Sequence, residues 1–220
     1  MKMWKVVPIC DAQKLDVNEE DLLNDGLFRK CDTYKAGGGY DRFPDIYEKR
    51  FGYKPNATQF VVQLYGCVLE CNYCYVTNEG IWGCPKTLTT IELMKYYKES
   101  GLEIFHLMGG APGMYLKHWK DIHDRVRIFH SDFLLVEGVY EPEWVDGLKG
   151  LHVVNFKDFV EYTEQHLWNL DLLVDADINF YITFTGEPKM EQPLIDRYGR
   201  NILKDSFHID INYNYEALKK

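Results

Sequence analysis

The chain has 220 residues and a mass of 25.9 kDa, with 25 Lys+Arg against 34 Asp+Glu and a net charge of −9. At 46% hydrophobic and 15% aromatic residues it reads as a folded globule, large enough to bury ~70% of the surface its unfolded form exposes without disulfide staples. The acidic balance argues against a general nucleic-acid or anionic-membrane binder, which needs a basic face.

The N-terminus, Met1 to Pro8, holds no apolar run of signal-peptide length. No stretch of about 18 successive apolar residues occurs, so a spanning helix is not expected. A cytoplasmic location follows as the expectation. The six cysteines would stay reduced there, as metal ligands, catalytic groups or core residues.

Residues 1–58 read as an N-terminal extension. It has a short apolar start (Trp4 to Ile9), an acidic stretch from Asp16 to Asp21, and Gly37-Gly38-Gly39. Three glycines could cradle a phosphate, but no Lys-Ser/Thr follows and no strand precedes, which favours a plain flexible loop.

Residues 59–220 read as strands alternating with helices. A β-branched, aromatic strand is predicted from Gln59 to Tyr65, ending at Gly66. Thr89 and Glu92 form a capping box for a helix whose apolar face is Ile91, Met94 and Tyr97, with Gly101 as its stop. The second strand, Glu103 to Met108, ends at Gly109-Gly110, and Leu116, Trp119, Ile122 and Val126 predict a helix after it. Further strands are predicted at Phe133–Glu137, Leu151–Asn155, Asn179–Thr185 and Phe207–Ile211, with helices at Val160–Leu173 and around Leu194–Leu203. Six apolar strands with crossovers imply a parallel α/β sheet. A closed eight-stranded barrel takes ~250 residues. The expected fold is therefore a partial, open TIM-like (β/α)6 barrel.

Chemistry concentrates in Cys67-Val68-Leu69-Glu70-Cys71-Asn72-Tyr73-Cys74, directly after the first strand. Three thiolates on one loop can converge on a single metal centre, and no further His or Cys follows until Cys84. A structural zinc wants four ligands in a closed tetrahedron, whereas a cubane with three protein ligands leaves one iron open. The missing fourth ligand favours the cubane; a zinc or redox cysteine cluster is the plainer alternative. Cys10, Cys31 and Cys84 are too scattered to form a dense ligand run for an auxiliary cluster, and read as reduced thiols.

The spacing of three residues, then two with an aromatic before the last cysteine, placed after the first strand, resembles the radical SAM superfamily. The resemblance implies a [4Fe-4S] cluster on Cys67, Cys71 and Cys74, its open iron chelated by the amino and carboxylate groups of S-adenosylmethionine. It places Tyr73 near the cofactor's adenine. Met108-Gly109-Gly110-Ala111-Pro112 falls where the family carries Gly-Gly-Glu-Pro, and there backbone groups of an edge strand receive the amino group of the cofactor's methionine. Ala111 in place of Glu leaves only a backbone role. The strand layout resembles the small activating enzymes of glycyl-radical enzymes, of the pyruvate formate-lyase activase type. Their Asp-x-Lys corresponds here to Asn155-Phe156-Lys157, and Glu137 and Gly138 fall at polar cofactor contacts. His208, Asp210 and Asn212, alternating on the last strand, are weaker candidates for substrate or ribose contact. No catalytic residue is assigned.

The resemblance, which covers Gln59 to about Tyr213, implies an oxidoreductase that reductively cleaves S-adenosylmethionine to methionine and a 5′-deoxyadenosyl radical. That radical would abstract hydrogen from a substrate. An electron donor such as flavodoxin or ferredoxin is implied, and a protein or peptide substrate, through glycyl-radical-enzyme activation, is favoured. The alternatives are modification of another peptide, a nucleotide or a small molecule, or a non-enzymatic Fe-S redox, sensing or zinc-binding protein. Neither a membrane nor a nucleic acid is an expected partner.

Overall fold

Short apolar strands separated by helical crossovers can bury both of their faces only if helices cover one side and chain closes over the other. The computed structural model describes residues 3–6, 28–31 (as backbone), 42–71, 73–74 and 85–209, and it has that organisation. Six parallel strands lie side by side in chain order: β3 (Gln59–Gln63), β5 (Ile104–Met108), β6 (Ile128–Phe133), β7 (His152–Lys157), β8 (Phe180–Thr185) and β9 (Phe207–Ile209). Sequential order without a reversal puts successive right-handed crossovers on one face and curls the sheet around the other. Among the described strands the sheet does not close, so the open α/β (β/α)6 barrel is the fold.

The outer face packs Phe60, Val62, Phe105, Leu107, Phe129, Val154, Ile182 and Phe184 against the helical layer. That layer holds α2 (Thr90–Ser100), α5 (Glu164–Asp175) and α6 (Glu191–Tyr198). The capping box on α2 forms as predicted: Thr89 N–H donates to Glu92 Oε2 at 2.7 Å, and Thr89 Oγ1 accepts from Glu92 N–H at 3.2 Å. Its buried face is Thr90, Leu93, Met94 and Tyr97, at i, i+3, i+4 and i+7, while Ile91 is 71% exposed.

Several boundaries differ from expectation. The third strand is Ile128–Phe133, not Phe133–Glu137. Leu134 and Leu135 continue the apolar run but are buried in a loop, with Leu135 at φ 65. The helix expected across Leu116–Val126 is a 3-10 helix (Pro112–His118) followed by the short α3 (Lys120–His123). Pro112 opens it, at a position that an α-helix also tolerates, and Gly113 behind it lowers α-helix propensity. α4 (Pro142–Val145) lies in the next crossover. α5 starts at Glu164, where Thr163 N–H donates to His166 Nδ1 at 3.1 Å, and Gly199 divides α6 from a 3-10 turn at Arg200–Leu203.

The described part of the first 58 residues is woven into the barrel. β1 (Met3–Val6) pairs antiparallel with β4 (Lys86–Thr89), and Trp4 and Val6 are fully buried. β2 (Phe28–Cys31) pairs antiparallel with β3 at the sheet edge. α1 (Phe43–Phe51) inserts Phe43 and Ile46 among Ile104, Ile128, Val153, Tyr181 and Phe207, flooring the concave face. Arg50 fixes it from outside, donating to the Phe180 carbonyl at 2.6 Å and pairing with Asp205 at 3.1 Å. Gly37–Gly39 and the Asp16–Asp21 stretch lie outside the described residues. No described helix is long and apolar enough to cross a membrane.

Candidate metal and cofactor site

β3 delivers the chain to the C-terminal edge of the sheet, where Gly66, at φ 90, turns it into the cysteine loop. β5 ends beside it in Gly109-Gly110-Ala111. The two turns are joined directly, because the Ala111 amide donates to the Gly66 carbonyl at 2.8 Å. A Cβ on Gly110 would stand 2.0 Å from that carbonyl oxygen, and one on Gly109 would stand 1.8 Å from Gln63 Nε2. Gly110 lets two backbones meet, and Gly109 leaves room for the Gln63 side chain. The strand before this turn is interior, between β3 and β6, and not the expected edge. Ala111 is buried, and its amide is committed to Gly66.

Cys67, Cys71 and Cys74 are reduced and half-buried on this loop. Cys74 N–H donates to the Cys71 carbonyl at 3.0 Å, and Leu69 N–H donates to Cys67 Sγ at 3.4 Å. Burial pushes the Cys71 thiol up to about 11; the Lys157 ammonium works against this, and the other two thiols add to it. Cys67 is raised by burial too, although the Leu69 amide opposes the shift. The three sulfurs therefore feel one another's charge. A metal centre taking them as thiolates would release protons on binding. Cys10 and Cys84 lie outside the described residues, and Cys31 is described as β2 backbone.

Tyr73 is 5% exposed, edge-on to Phe159 at 5.9 Å, with Lys157 Nζ 5.7 Å from its ring centroid. Its hydroxyl is buried with no hydrogen-bond partner among the described residues, and burial drives its pKa upward. Asn155 and Lys157 project from the same face of β7, which brings Lys157 to the cysteines. Asn155 accepts the Thr185 hydroxyl at 3.2 Å.

Glu137 sits in the loop four residues beyond β6 rather than at a strand end. Its carboxylate accepts from Gly113 N–H at 2.8 Å, Leu134 N–H at 3.2 Å and the Tyr140 hydroxyl at 2.6 Å. Burial pushes its pKa up to about 7 against those three bonds. Glu137 thus ties the 3-10 helix after Ala111 to the loop after β6. Gly138 is exposed at φ 122, its carbonyl accepting from Asn169 Nδ2 at 2.7 Å. His208 does not face the concave side. It lies against Phe184 on the outer face, half-exposed and 3.3 Å from Glu191, while Asp210 and Asn212 lie outside the described residues.

Sequence reasoning missed the polar residues of the concave face: Gln59, Gln63, His106, His130, Asp132 and Thr183, all buried. A signal existed in the two-residue alternation of His130 and Asp132. Placing the third strand five residues late put both of them outside it.

No protein-family profile and no curated protein matches the chain. Among solved structures it is similar to hexahistidine-tagged anSMEcpe with bound AdoMet, at 12% identity and a TM-score of 0.45 over 66% of this chain and 47% of that one. It is also similar to native anSMEcpe with bound AdoMet and Cp18Cys peptide, at 13% identity and a TM-score of 0.43 over 66% and 48%. The chain spans about half the length of these structures.

Proposed function

We propose that this chain is a radical SAM enzyme whose substrate is a protein or peptide, with activation of a glycyl-radical enzyme as its task. The observation that carries the reading is the joining of a three-thiol loop to the glycine turn of β5 through Gly66 and Ala111, at the C-terminal edge of an open parallel barrel. Cys67, Cys71 and Cys74 would hold a [4Fe-4S] cluster and leave one iron to the amino and carboxylate groups of S-adenosylmethionine. When bound, these groups supply one-electron cleavage of the sulfonium C–S bond and, through it, hydrogen abstraction from the substrate.

The residues present fit that cargo. Half-buried thiols with an ammonium beside them suit thiolates that must be held away from water, and Lys157 offsets part of their charge. Tyr73 offers a buried ring and a hydroxyl without a described partner, the pairing that an aromatic base with polar edges would satisfy. The methionine amino group is a donor, so the carbonyls of Gly109 and Gly110 suit it, whereas the Ala111 side chain has no acceptor. Asn155 and Lys157 supply an amide and a cation for ribose and carboxylate. Glu137, engaged by three donors, is a positioning residue for the turn. Among the described strands the barrel stays open between its edges, and such an opening would admit a polypeptide loop, which favours a protein substrate.

The test is anaerobic reconstitution with iron and sulfide, then reduction in the presence of S-adenosylmethionine with a flavodoxin or ferredoxin as donor. A brown protein with about four irons per chain that releases 5′-deoxyadenosine is expected, and Cys71→Ala should lose both colour and product. A fully loaded cluster that yields no 5′-deoxyadenosine overturns the enzyme reading. A glycyl-radical EPR signal on an added partner enzyme tests the substrate; cleavage without it moves the substrate to another class.

A further inference from the structure

β5 and β6 run parallel with His106 opposite His130, and Asp132 follows two residues on. All three side chains therefore share one face of the sheet. It is the concave face, since Ile104 and Ile128 in the same alternation pack on α1. His106 and His130 are fully buried and Asp132 is 8% exposed. The two imidazole centroids are 4.3 Å apart, and His106 Nε2 stands 3.8 Å from Asp132 Oδ1. One donor atom from each residue lies within 4.8 Å of the other two.

These separations fit ligands around an ion better than a hydrogen bond. At 3.8 Å the His106–Asp132 contact is too long for the latter. Two donors each ~2.1 Å from one metal can stand up to about 4.2 Å apart, so small side-chain rotations bring all three to coordination distance. The His130 ring is already oriented for the task. Its Nδ1 lies 2.7 Å from the Leu151 carbonyl, which can only accept, so Nδ1 carries the proton and the lone pair of the neutral ring is on Nε2. A backbone carbonyl holding the second nitrogen is the usual support of a ligating histidine. A barrel interior is ordinarily filled with branched apolar side chains. On the same face Gln63 Oε1 and Thr183 Oγ1 are buried, and these two atoms have no hydrogen-bond partner among the described residues, which marks the lumen as built for a polar occupant.

We propose that His106, His130 and Asp132 form a metal centre separate from the cysteine loop, a three-ligand site for a divalent first-row transition ion such as Zn2+ or Fe2+. Two imidazoles and one carboxylate suit these ions rather than Ca2+ or Mg2+, which take oxygen ligands. Phe43 covers His130 from below, with centroids 4.3 Å apart. Asp132 is the least buried ligand and lies one residue from the C-terminal end of β6. The site is thus nearest the surface at Asp132, and a three-ligand set leaves a coordination position for a water or a substrate oxygen.

The site is tested with Co2+ on the metal-free full-length chain, because its two destinations carry different signatures. Ions on Cys67, Cys71 and Cys74 give thiolate charge-transfer bands, whereas ions on the proposed site give ligand-field bands without them and pulsed-EPR couplings to two imidazole nitrogens. A Cys67→Ser/Cys71→Ser/Cys74→Ser variant should still bind one Co2+ with imidazole couplings. In that background Asp132→Asn and His106→Gln should each weaken binding by more than about 100-fold, with circular dichroism unchanged. If either substitution unfolds the chain, the couplings in the parent protein decide. Absence of imidazole couplings in both wild-type and triple-serine protein, or Co2+ affinity unchanged in Asp132→Asn, makes the trio a hydrogen-bonded core and overturns the proposal.

Discussion

The carbonyl of Gly66 accepts the amide hydrogen of Ala111 at 2.8 Å, and the position between the two strand ends that a Cβ of residue 110 would occupy is 2.0 Å from that same oxygen. The residue before the first cysteine of the loop is therefore held by a turn that tolerates no side chain. Gly110→Ala must displace backbone, and it also puts Ala at φ 54. Gly101→Ala is the matched control, at φ 68 with nothing within 4 Å of the added carbon. Both should lose about 1–2 kcal/mol to left-handed backbone. Only Gly110→Ala should lose more than that in a urea melt and also fail to retain iron after reconstitution. Equal losses in the two variants would show that the Gly66 contact does not constrain the loop.

Trp4 links the N-terminal strand to the same loop. It is fully buried, donates from Nε1 to Thr90 Oγ1 at 3.0 Å, and stacks on Tyr115 at 5.9 Å. The Tyr115 hydroxyl in turn donates to the Tyr65 carbonyl at 3.0 Å, two residues before Cys67. Trp4→Ala should cost about 3–5 kcal/mol by cavity formation, and Trp4→Phe, which keeps most of the ring area, about 1 kcal/mol for the lost hydrogen bond. Chemical denaturation measures both. Iron retention should fall in Trp4→Ala and hold in Trp4→Phe.

What sequence made visible follows from how local each signal is. The capping box at Thr89 and Glu92 and the glycines at 109 and 110 are set by neighbours in the chain, and they stand where expected. The sequence places strand 128–133 too late because Leu134 and Leu135 extend its apolar run while leaving the sheet, and hydropathy alone does not register the left-handed backbone at Leu135. The concave-face trio depends on the register between β5 and β6, a pairing made across a crossover, and no local pattern reports it. Glu137 is marked in the sequence only by a place at a strand end that the family resemblance supplies, whereas its three donors come from Gly113, Leu134 and Tyr140, and the first of these is distant in sequence.

Glu137 gives the fold an identifiable pH response. Burial lifts its carboxyl to about 7, well above the ordinary 4.5. Between those values the native chain holds a proton that the unfolded chain has released, so stability falls as pH rises. The contribution is complete below about 4.5 and lost as pH passes through 7. Glu137→Gln cannot titrate there. The melting-temperature gap between wild type and this variant should therefore widen as pH falls from about 8 to about 5.5, and a gap independent of pH would remove Glu137 as the source.

His152 works in the opposite direction. It is fully buried beside Trp119, Phe129 and Phe133, with Nε2 3.1 Å from the Lys149 carbonyl oxygen. Burial lowers its pKa from 6.5 to about 4. Between those values the unfolded chain binds a proton that the native ring refuses, so this contribution is present above about 6.5 and lost as pH falls through 4. A shift of that size is worth roughly 3 kcal/mol at the acid end. His152→Phe fills similar volume among the same rings but cannot titrate. Its stability at neutral pH should fall modestly for the lost carbonyl contact, while its decline between pH 6.5 and 4 should be shallower than that of the wild type. His130, lowered in the same direction by burial, keeps part of the slope in the variant. An acid limb as steep in His152→Phe as in the wild type would mean that protonation of His152 does not drive acid unfolding.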